Sequence, residues 1–463
     1  MKDISNIERF YFVGIGGIGM SALATCFAKE GFMVAGYDRT ESDITGSLAA
    51  LGCKITFKDD TETIPDHFRS VPDKNKIIIV YTPAIPADNA ILSYFRSNGF
   101  EVRKRSEILG QISSGTDTIA ISGTHGKTTI STMTAHLLKQ SHVDCSAFLG
   151  GISKNYDSNY ISGHGRYTVM EADEYDRSFH RLSPLIAVVT AMDPDHLEIY
   201  GDHETMIAAY NVFCGKIRKG GTLIYNSRLK GRIIHPEEVK CMTYGPDQDS
   251  DYRCSGIERK EGYYRFDLKT PEGVMSDLHF PFPGIINIEN LTAAIAAAIQ
   301  CGITENEIRS AILLFRGVRR RFDIRIDMPG MTYIDDYAHH PEEIRACIMS
   351  VREYFRGRKI TGIFQPHLFT RTRDHAAGFA EILDKLDEAI LLPVYPAREK
   401  PIRGVTSEII FRRMKLVRKS MMKMEDIPGR LDVRDLDVLL TIGAGNIDSL
   451  VNPIEQKINS ERG

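Results

Sequence analysis

The sequence lacks several features that would place the protein in a specialised class. Its eight cysteines include no C-x-x-C pair, which argues against a structural zinc site and against a disulfide framework. No apolar run approaches the roughly 18 residues of a membrane-spanning helix, and the first ten residues, MKDISNIERF, contain no apolar signal core. The formal net charge is −3, so no basic field exists to attract nucleic acid or an anionic membrane. We therefore expect a cytoplasmic protein with neither nucleic acid nor membrane as a partner.

The length and the order of segment types predict an α/β fold in three domains. The chain has 463 residues, and one domain takes about 150. Residues 1–107 alternate strand-like and helix-like segments, as in a Rossmann-like parallel sheet. Residues 108–317 predict a central P-loop ATPase-like block, in which the short, aromatic and β-branched segments of residues 238–282 predict a small antiparallel patch. Residues 318–463 alternate again and predict a C-terminal Rossmann-like, doubly wound sheet.

The segment GIGGIGMS has the spacing of a dinucleotide-binding turn. Gly14, Gly16 and Gly19 follow an apolar strand and open a helix, and Asp38 ends the next strand. Such a turn lets a diphosphate approach the N-terminus of a helix, where free N–H groups and the helix dipole favour anions. With Gly17 in the same turn, these residues form a candidate binding site for a nucleotide diphosphate. The glycines alone do not decide between NAD and a UDP-sugar.

A second glycine-rich segment, GTHGKTT, lies between an apolar strand and an amphipathic helix, as a phosphate-binding loop requires. Lys127 would contact the β- and γ-phosphates of ATP as a compact cation, and the Thr128 hydroxyl would reach Mg²⁺. Ile121 stands where the strict P-loop pattern has its first glycine. The candidate ATP-binding residues of this loop are Gly123, Thr124, His125, Gly126, Lys127, Thr128 and Thr129.

Residues at the ends of two later strands predict a metal site beside this loop. Glu171 ends an apolar strand, where a carboxylate can hold Mg²⁺ together with Thr128. His196 follows another buried strand and is the candidate for a second metal ligand. For the remaining acids of these segments the sequence does not separate a solvated position from a functional one: Glu174, Asp176 and Glu198.

Several segments together make the sequence similar to the Mur ligase family. They occur in the family's order and span the three predicted domains: GIGGIGMS, GTHGKTT, EADEYDRSF, DHLEIYGD, RRFD, DDYAHHP and QPHLFTRT. The DDYAHHP segment resembles the alanine-adding branch of the family. The resemblance implies an ATP-dependent ligase that joins L-alanine to UDP-N-acetylmuramate in peptidoglycan precursor synthesis, with Mg²⁺ as cofactor.

The resemblance also implies which later residues contact the substrates. Those assigned to the nucleotide are Asn287 and Asn290 near the adenine, Arg320 on the phosphates and Asp336 near them. His339 would lie near the reacting centre, and His367 and Arg371 would bind the incoming amino acid or the acyl phosphate. With Lys127, these last three residues form the candidate catalytic set.

A few positions depart from the family pattern. Ile286 stands where a histidine often precedes the asparagine, so the adenine contact at that position must be apolar. Ala191 stands where relatives often place asparagine, which removes one polar contact. Tyr210 occupies the position of a lysine that sister ligases carbamylate, and this is consistent with the alanine-adding type.

The chemistry explains why such an enzyme needs a phosphate loop. A carboxylate resists attack by an amine because it is anionic and would have to expel oxide. Transfer of the γ-phosphoryl group of ATP makes an acyl phosphate with a good leaving group, and cations must surround the two anions that meet. The amine must then lose a proton, for which a neutral histidine is suited near pH 7. The candidate acceptors are His339, His340, His196 and a phosphate oxygen.

Other interpretations stay open at this point. An NAD-dependent oxidoreductase would use the first glycine turn but leaves the second unexplained. A nucleotide-gated interaction protein would hydrolyse ATP without ligation, and a sister ligase would attach a recycled tripeptide to the same UDP-sugar. The sequence decides neither the selectivity among L-alanine, L-serine and glycine nor whether the protein is a monomer or a homodimer.

Overall fold

The structure is a computed structural model that describes residues 6–195, 197–397 and 399–462. The chain divides into two compact units, one of residues 1–281 and 289–316 and the other of residues 282–288 and 317–463. Parallel strands dominate the large sheets of both units, so the predicted α/β fold class is confirmed. The three predicted domains stay a prediction, and their first boundary, at residues 107 and 108, lies inside a helix.

The first sheet is parallel and five-stranded. Its strands are β1 (Arg9–Val13), β2 (Met33–Tyr37), β3 (Lys54–Thr56), β4 (Ile77–Tyr81) and β5 (Glu101–Lys104), in the order β3-β2-β1-β4-β5. Its helices are α1 (Ile18–Lys29), α2 (Asp43–Ala50), α3 (Asp66–Arg69), α4 (Ala90–Ser97) and α5 (Arg105–Gly115). Strand β1 is central and buried on both faces, with Phe10 stacked on Phe27 at 3.8 Å between ring centroids and Tyr11 against Phe68 on the other face. This burial explains the continuous apolar run FYFV.

The second sheet has seven strands and follows directly in the same unit. Its strands are β6 (Asp117–Ser122), β7 (Cys145–Ser153), β8 (Ser158–Ile161), β9 (Tyr167–Glu171), β10 (Ile186–Val189), β11 (Thr222–Asn226) and β12 (Lys240–Tyr244), in the order β12-β11-β10-β6-β9-β7-β8. Only the β7–β8 pair among these is antiparallel. Its helices are α6 (Lys127–Lys139), α7 (Leu197–Tyr200) and α8 (His203–Cys214). Helix α6 is buried on nearly all sides, including its polar residues Ser131, Thr132 and Thr134.

The antiparallel patch exists but is smaller than predicted. It consists of β13 (Arg253–Lys260), β14 (Tyr263–Thr270) and β15 (Gly273–Phe280), and α9 (Ile286–Ile299) and α10 (Glu305–Leu314) follow it. The prediction was wrong for residues 240–244, which form β12 and pair in parallel with β11. A short strand with aromatic and β-branched residues suits either kind of sheet, and the side chains do not reveal its partner.

The second unit carries a six-stranded sheet. Its strands are β16 (Asp323–Met328), β17 (Met331–Asp336), β18 (Ile360–Phe364), β19 (Glu388–Leu391), β20 (Lys419–Met421) and β21 (Val438–Ile442), in the order β16-β17-β21-β18-β19-β20. All pairs are parallel except β16–β17. Its helices are α11 (Pro341–Tyr354), α12 (Phe369–Asp374), α13 (Ala376–Leu383), α14 (Glu408–Phe411), α15 (Ile427–Arg430) and α16 (Val451–Arg462).

Helix α11 begins where its sequence predicts. Pro341 is the first helical residue, a position at which the missing N–H removes no hydrogen bond. The Glu343 carboxylate accepts the backbone N–H of His340, which closes a capping box. None of the helices in the described ranges is long and apolar enough to cross a membrane.

Candidate functional site

The first glycine-rich turn connects β1 to α1 and is closed by Asp38. The Gly16 N–H donates to Asp38 Oδ2 at 2.8 Å, and the Gly14 N–H donates to the Tyr37 carbonyl at 2.7 Å. Asp38 therefore bonds to the turn itself, where it fixes the shape of the turn. Gly17 is the N-cap of α1 and supplies no capping side chain, so the first N–H groups of the helix are left for a ligand or water.

Arg105 lies against this turn, and sequence patterns gave no sign of it. Its guanidinium Nη1 lies 2.8 Å from the place where a Cβ on Gly19 would stand, so any side chain at position 19 would meet it. Arg105 is the first residue of α5, far from the turn in sequence, and only the packing of α5 brings them together. Its Nη2 also lies 3.9 Å from the Asp173 carboxylate.

The phosphate loop lies between β6 and α6 and is fixed to the end of β10. Gly123 has φ +130°, and a Cβ there would overlap the Thr190 hydroxyl, so only glycine fits. The Thr124 N–H donates to the Ala191 carbonyl at 3.1 Å, and the Thr190 hydroxyl donates to the His125 carbonyl at 2.5 Å. Ala191 thus contributes through its backbone.

Lys127 begins α6 and is held by two acceptors. Its Nζ donates to the Gly123 carbonyl and to Glu174 Oε1, both at 2.8 Å. Burial by itself would lower the pKa of Lys127, but the carboxylates of Glu174, Asp173 and Glu171 outweigh it and raise that pKa above its usual value. The ammonium group is therefore charged at every physiological pH.

Glu174 belongs to the site and not to the surface. Its side chain is 1% exposed and pairs with Lys127, whose side chain is 15% exposed. Burial raises the pKa of Glu174, and the charge of Lys127 counteracts that rise. Asp176, which the sequence left equally open, is partly exposed and lies 3.2 Å from Lys104 Nζ.

Glu171 and Thr128 suit a magnesium ion. Glu171 ends β9 and pairs in register with Ile121 of β6, just before the phosphate loop, and its Oε2 accepts the Gly150 N–H at 3.2 Å. Thr128 lies in the first turn of α6. A carboxylate, a hydroxyl and phosphate oxygens are the hard ligands that Mg²⁺ prefers. His196 lies outside the described residues, and within the described ranges no three His, Cys, Asp or Glu side chains cluster as a preformed metal site.

The two predicted adenine residues lie in different surroundings. Asn290, on α9, has its Oδ1 2.9 Å from the place where a Cβ on Gly126 would stand, so it borders the phosphate loop. The Asn287 amide donates to the Pro283 carbonyl at 2.6 Å and shapes the start of α9. Ile286 is 42% exposed. Tyr210 is fully buried and its ring meets Phe179 edge-on, so it is part of the core.

Asp336 is the last residue of β17 in the second unit, and the N–H of the next residue, Tyr337, donates to the Arg320 carbonyl. Asp336 is buried and accepts the N–H groups of Phe322 and Ala338 at 2.7 and 2.8 Å. Burial raises its pKa, and the charge of Arg321 counteracts the rise. Arg320 has φ +62°, an uncommon conformation for arginine.

Neighbouring groups hold the Arg320 guanidinium in place. Its Nη2 donates to the Gly443 carbonyl at 2.6 Å, and its Nε lies 3.2 Å from Asp335. Burial raises the pKa of Asp335 to about 6, although Arg320 and the Thr441 hydroxyl both favour its ionised form. The guanidinium also lies over the Tyr337 ring, 5.1 Å from its centroid.

His339 and His367 come together near Arg371. The two rings are 6.0 Å apart, and His339 Nδ1 lies 3.0 Å from the Tyr337 carbonyl. Because a carbonyl only accepts, Nδ1 carries the hydrogen and Nε2 keeps a lone pair. Burial lowers the pKa of His339, the Glu343 carboxylate 3.4 Å from Nδ1 counteracts that fall, and the charge of Arg371 adds to it. The structure thus places His339 beside His367 and within electrostatic reach of Arg371, and burial favours the neutral form of the His339 imidazole.

Comparisons with known proteins show the family of the chain. Three family models match consecutive parts of the chain: "Mur ligase family, catalytic domain" over residues 9–116, "Mur ligase middle domain" over residues 121–298 and "Mur ligase, glutamate ligase domain" over residues 320–445. The chain belongs to the Mur ligase family. The phosphate loop of this Mur ligase falls in the part that matches the middle domain.

Curated relatives and solved structures match this chain over nearly its full length. The Mur ligase is 46% identical over 461 residues to the UDP-N-acetylmuramate–L-alanine ligase of Phocaeicola vulgatus, which covers 99% of this chain and 100% of the relative. The same enzyme of Parabacteroides distasonis is 46% identical over 98% of both chains. The crystal structure of UDP-N-acetylmuramate–alanine ligase from Thermotoga maritima matches with a TM-score of 0.83 and 27% identity, over 98% of this chain and all of the other. A murein peptide ligase from Psychrobacter arcticus has the same fold, with a TM-score of 0.73 and 19% identity over 98% of this chain and all of the other.

Proposed function

We propose that this Mur ligase joins L-alanine to UDP-N-acetylmuramate at the expense of ATP, giving UDP-N-acetylmuramoyl-L-alanine, ADP and phosphate. The loop at residues 123–129 carries the proposal, because it fixes the Lys127 ammonium beside backbone N–H groups at the start of α6. The name shared by the full-length relatives supports the choice of substrates. The enzyme would work in the cytoplasm on small-molecule substrates.

The reaction divides into two steps. The γ-phosphoryl group of ATP passes to the lactyl carboxylate of the sugar, so that the bond from phosphorus to the ADP oxygen breaks and an acyl phosphate forms. The alanine amine then attacks the acyl carbon, loses a proton and expels phosphate. The first step brings two anions together, and Lys127 would neutralise part of their charge. Arg320 would contact the phosphates.

The metal would lie beside the phosphate loop. Thr128 and Glu171 would hold Mg²⁺ there, with His196 as a further ligand, and the ion would add positive charge to the phosphates. The Thr124 N–H is already bonded to the Ala191 carbonyl, and the other residues between Gly123 and Thr129 would direct their N–H groups to the triphosphate. Asn290, next to Gly126, would lie near the nucleotide, and Asn287 and Asp336 would shape its surroundings.

The UDP-sugar and L-alanine would bind to the N-terminal and C-terminal domains. The turn of Gly14, Gly16, Gly17 and Gly19 would take the diphosphate of the UDP-sugar at the N-terminus of α1. In the C-terminal domain, residues 318–463, Arg371 would pair with the alanine carboxylate in a forked geometry. His367 would contact the amino acid or the acyl phosphate, and His339 would accept the amine proton through Nε2.

Phosphate release across a panel of amine substrates tests the proposed function. With ATP and UDP-N-acetylmuramate present, we expect L-alanine to give the highest kcat/KM, with L-serine and glycine lower by roughly 10- to 200-fold, since one small group changes affinity only modestly. Activity with a tripeptide but not with L-alanine would assign the sister activity instead. Phosphate release that is indifferent to any amine would contradict ligation, and a nicotinamide absorbance change would indicate an oxidoreductase.

A further inference from the structure

Lys127 already has a fixed position in the phosphate loop before any nucleotide is considered. An ammonium group carries three hydrogens. Two of them bond to Gly123 and Glu174 at 2.8 Å each among the residues described. The two bonds fix the place of the nitrogen, and the direction of its third hydrogen follows from theirs because the N–H bonds of an ammonium group are arranged tetrahedrally.

Glu174 is in turn held firmly by the segment that follows β9. Its carbonyl accepts the Tyr200 hydroxyl at 2.6 Å and the Arg177 N–H at 2.9 Å. The Asp173 carbonyl accepts the Phe179 N–H at 3.0 Å, which closes the same turn. A carboxylate anchored through its own backbone and buried to 1% exposure has little freedom to withdraw from Lys127.

The backbone beside Glu174 is strained. Asp176 and Arg177 adopt consecutive left-handed conformations, with φ +52° and +54°. Such conformations cost energy for residues other than glycine and persist where the surroundings hold them, often at functional sites. Here the Arg177 guanidinium lies 5.5 Å from the centroid of the Tyr200 ring, and the Tyr200 hydroxyl bonds to the Glu174 carbonyl.

The charge of Glu174 is unfavourable for simple ATP binding. A buried carboxylate beside the phosphate loop repels a triphosphate and cancels part of the charge of Lys127. A loop selected only for ATP affinity would bind more tightly without it. The Glu174 carboxylate is explained if its task is to orient the Lys127 ammonium toward the migrating phosphoryl group. Catalysis depends on interactions that strengthen in the transition state, and such interactions require an oriented cation.

We propose that Glu174 is a positioning residue that keeps the Lys127 ammonium aligned with the γ-phosphoryl group throughout its transfer. The inference rests on the proposed ligase function. Glu174 touches no reacting atom and acts only through Lys127. The Glu174 carboxylate therefore lowers the affinity for ATP and increases the rate of phosphoryl transfer.

Steady-state kinetics of Glu174→Gln separate this role from a structural one. The isosteric amide keeps the size of the side chain but loses its charge. We expect kcat to fall at least about tenfold, with the KM for ATP unchanged or lower, because repulsion of the phosphates is relieved. Asp176→Asn is the matched control: it removes one charge from the same turn, its carboxylate bonds to Lys104, and asparagine tolerates left-handed φ. Its kcat should stay within about twofold of wild type.

Several outcomes would overturn the proposal. An unchanged kcat with tighter ATP binding would mean that Glu174 merely holds Lys127 until ATP arrives. A rise in the KM for ATP together with a lower melting temperature would mean a structural role. If Glu174→Gln fails to fold, Glu174→Asp takes its place in the test. Aspartate keeps the carboxylate charge, but its side chain is one methylene shorter. A folded aspartate variant should have an intermediate kcat, and wild-type kcat in that variant would refute the positioning role.

ATP binding distinguishes failure of this inference from failure of the proposed function. Wild-type protein that releases no phosphate with UDP-N-acetylmuramate and L-alanine would contradict the function. In that case titration calorimetry with ATP and Mg²⁺ still tests the Glu174 variants. Tighter binding by Glu174→Gln supports the repulsion on which the inference depends, and weaker binding overturns it.

Discussion

Replacing Lys127 by alanine should abolish ligation while the protein still binds UDP-N-acetylmuramate. The variant removes the cation that two acceptors fix at the phosphate loop. Loss of one preorganised charge of this kind lowers kcat by on the order of 10²–10³ or more. Because the glycine turn is a separate site, the dissociation constant for the UDP-sugar should change by less than about twofold. Phosphate release and calorimetry measure the two quantities.

The control for this variant must account for Glu174. Alanine at position 127 leaves a buried carboxylate without its cation, which can destabilise a fold by about 3–5 kcal/mol. Lys127→Arg keeps the charge but not the point-like geometry, and it should also lose most of its activity. Lys219→Ala, at an 84% exposed lysine of the same unit, should behave as wild type. A combined loss of UDP-sugar binding and turnover in a folded Lys127→Ala protein would contradict the separation of the sites.

Arg371→Ala should selectively impair the use of L-alanine. If Arg371 pairs with the amino-acid carboxylate, its removal should lower kcat/KM for L-alanine by about 10²-fold or more, since charged pairs in such sites contribute several kcal/mol. The KM values for ATP and for the UDP-sugar should change little. Initial rates measured with each substrate varied in turn would show this pattern.

Arg373→Ala is the matched control for this prediction. Both arginines lie on α12, two residues apart. The structure distinguishes them, because the Arg373 guanidinium pairs with Asp374 and is 53% exposed. We expect near-normal kinetics for Arg373→Ala. Equal losses in the two variants, or a greater loss in Arg373→Ala, would contradict the assignment of Arg371.

The sequence was most informative where local patterns determine structure. Continuous apolar strands followed by glycine turns predicted β1 with its turn and β6 with its phosphate loop, because burial on both faces leaves a recognisable run. The start of α11 was predictable from Pro341 and its capping box. Strand β12 was not, since the partner of a short edge strand depends on the whole sheet.

The site residues that pattern analysis missed depend on tertiary contacts. Glu174 is one of several acids in EADEYDRSF, and only the folded turn shows that it is the one that meets Lys127. Arg105, the first residue of α5, approaches Gly19 of the first glycine turn from far along the sequence, and no local motif predicts such a contact. The family resemblance pointed to both segments of the phosphate site, but the electrostatic partner of the lysine had to be read from the structure.

Oxygen-18 transfer from the sugar carboxylate to phosphate tests the central claim most directly. The substrate is UDP-N-acetylmuramate with both carboxylate oxygens labelled, incubated with ATP, Mg²⁺ and L-alanine, and the products are analysed by mass spectrometry. An acyl phosphate requires one labelled oxygen to leave with the phosphate and the other to remain in the amide. We predict labelled phosphate in step with product. Unlabelled phosphate, with ADP and product still formed, would contradict the claim that this loop activates a carboxylate by phosphorylation.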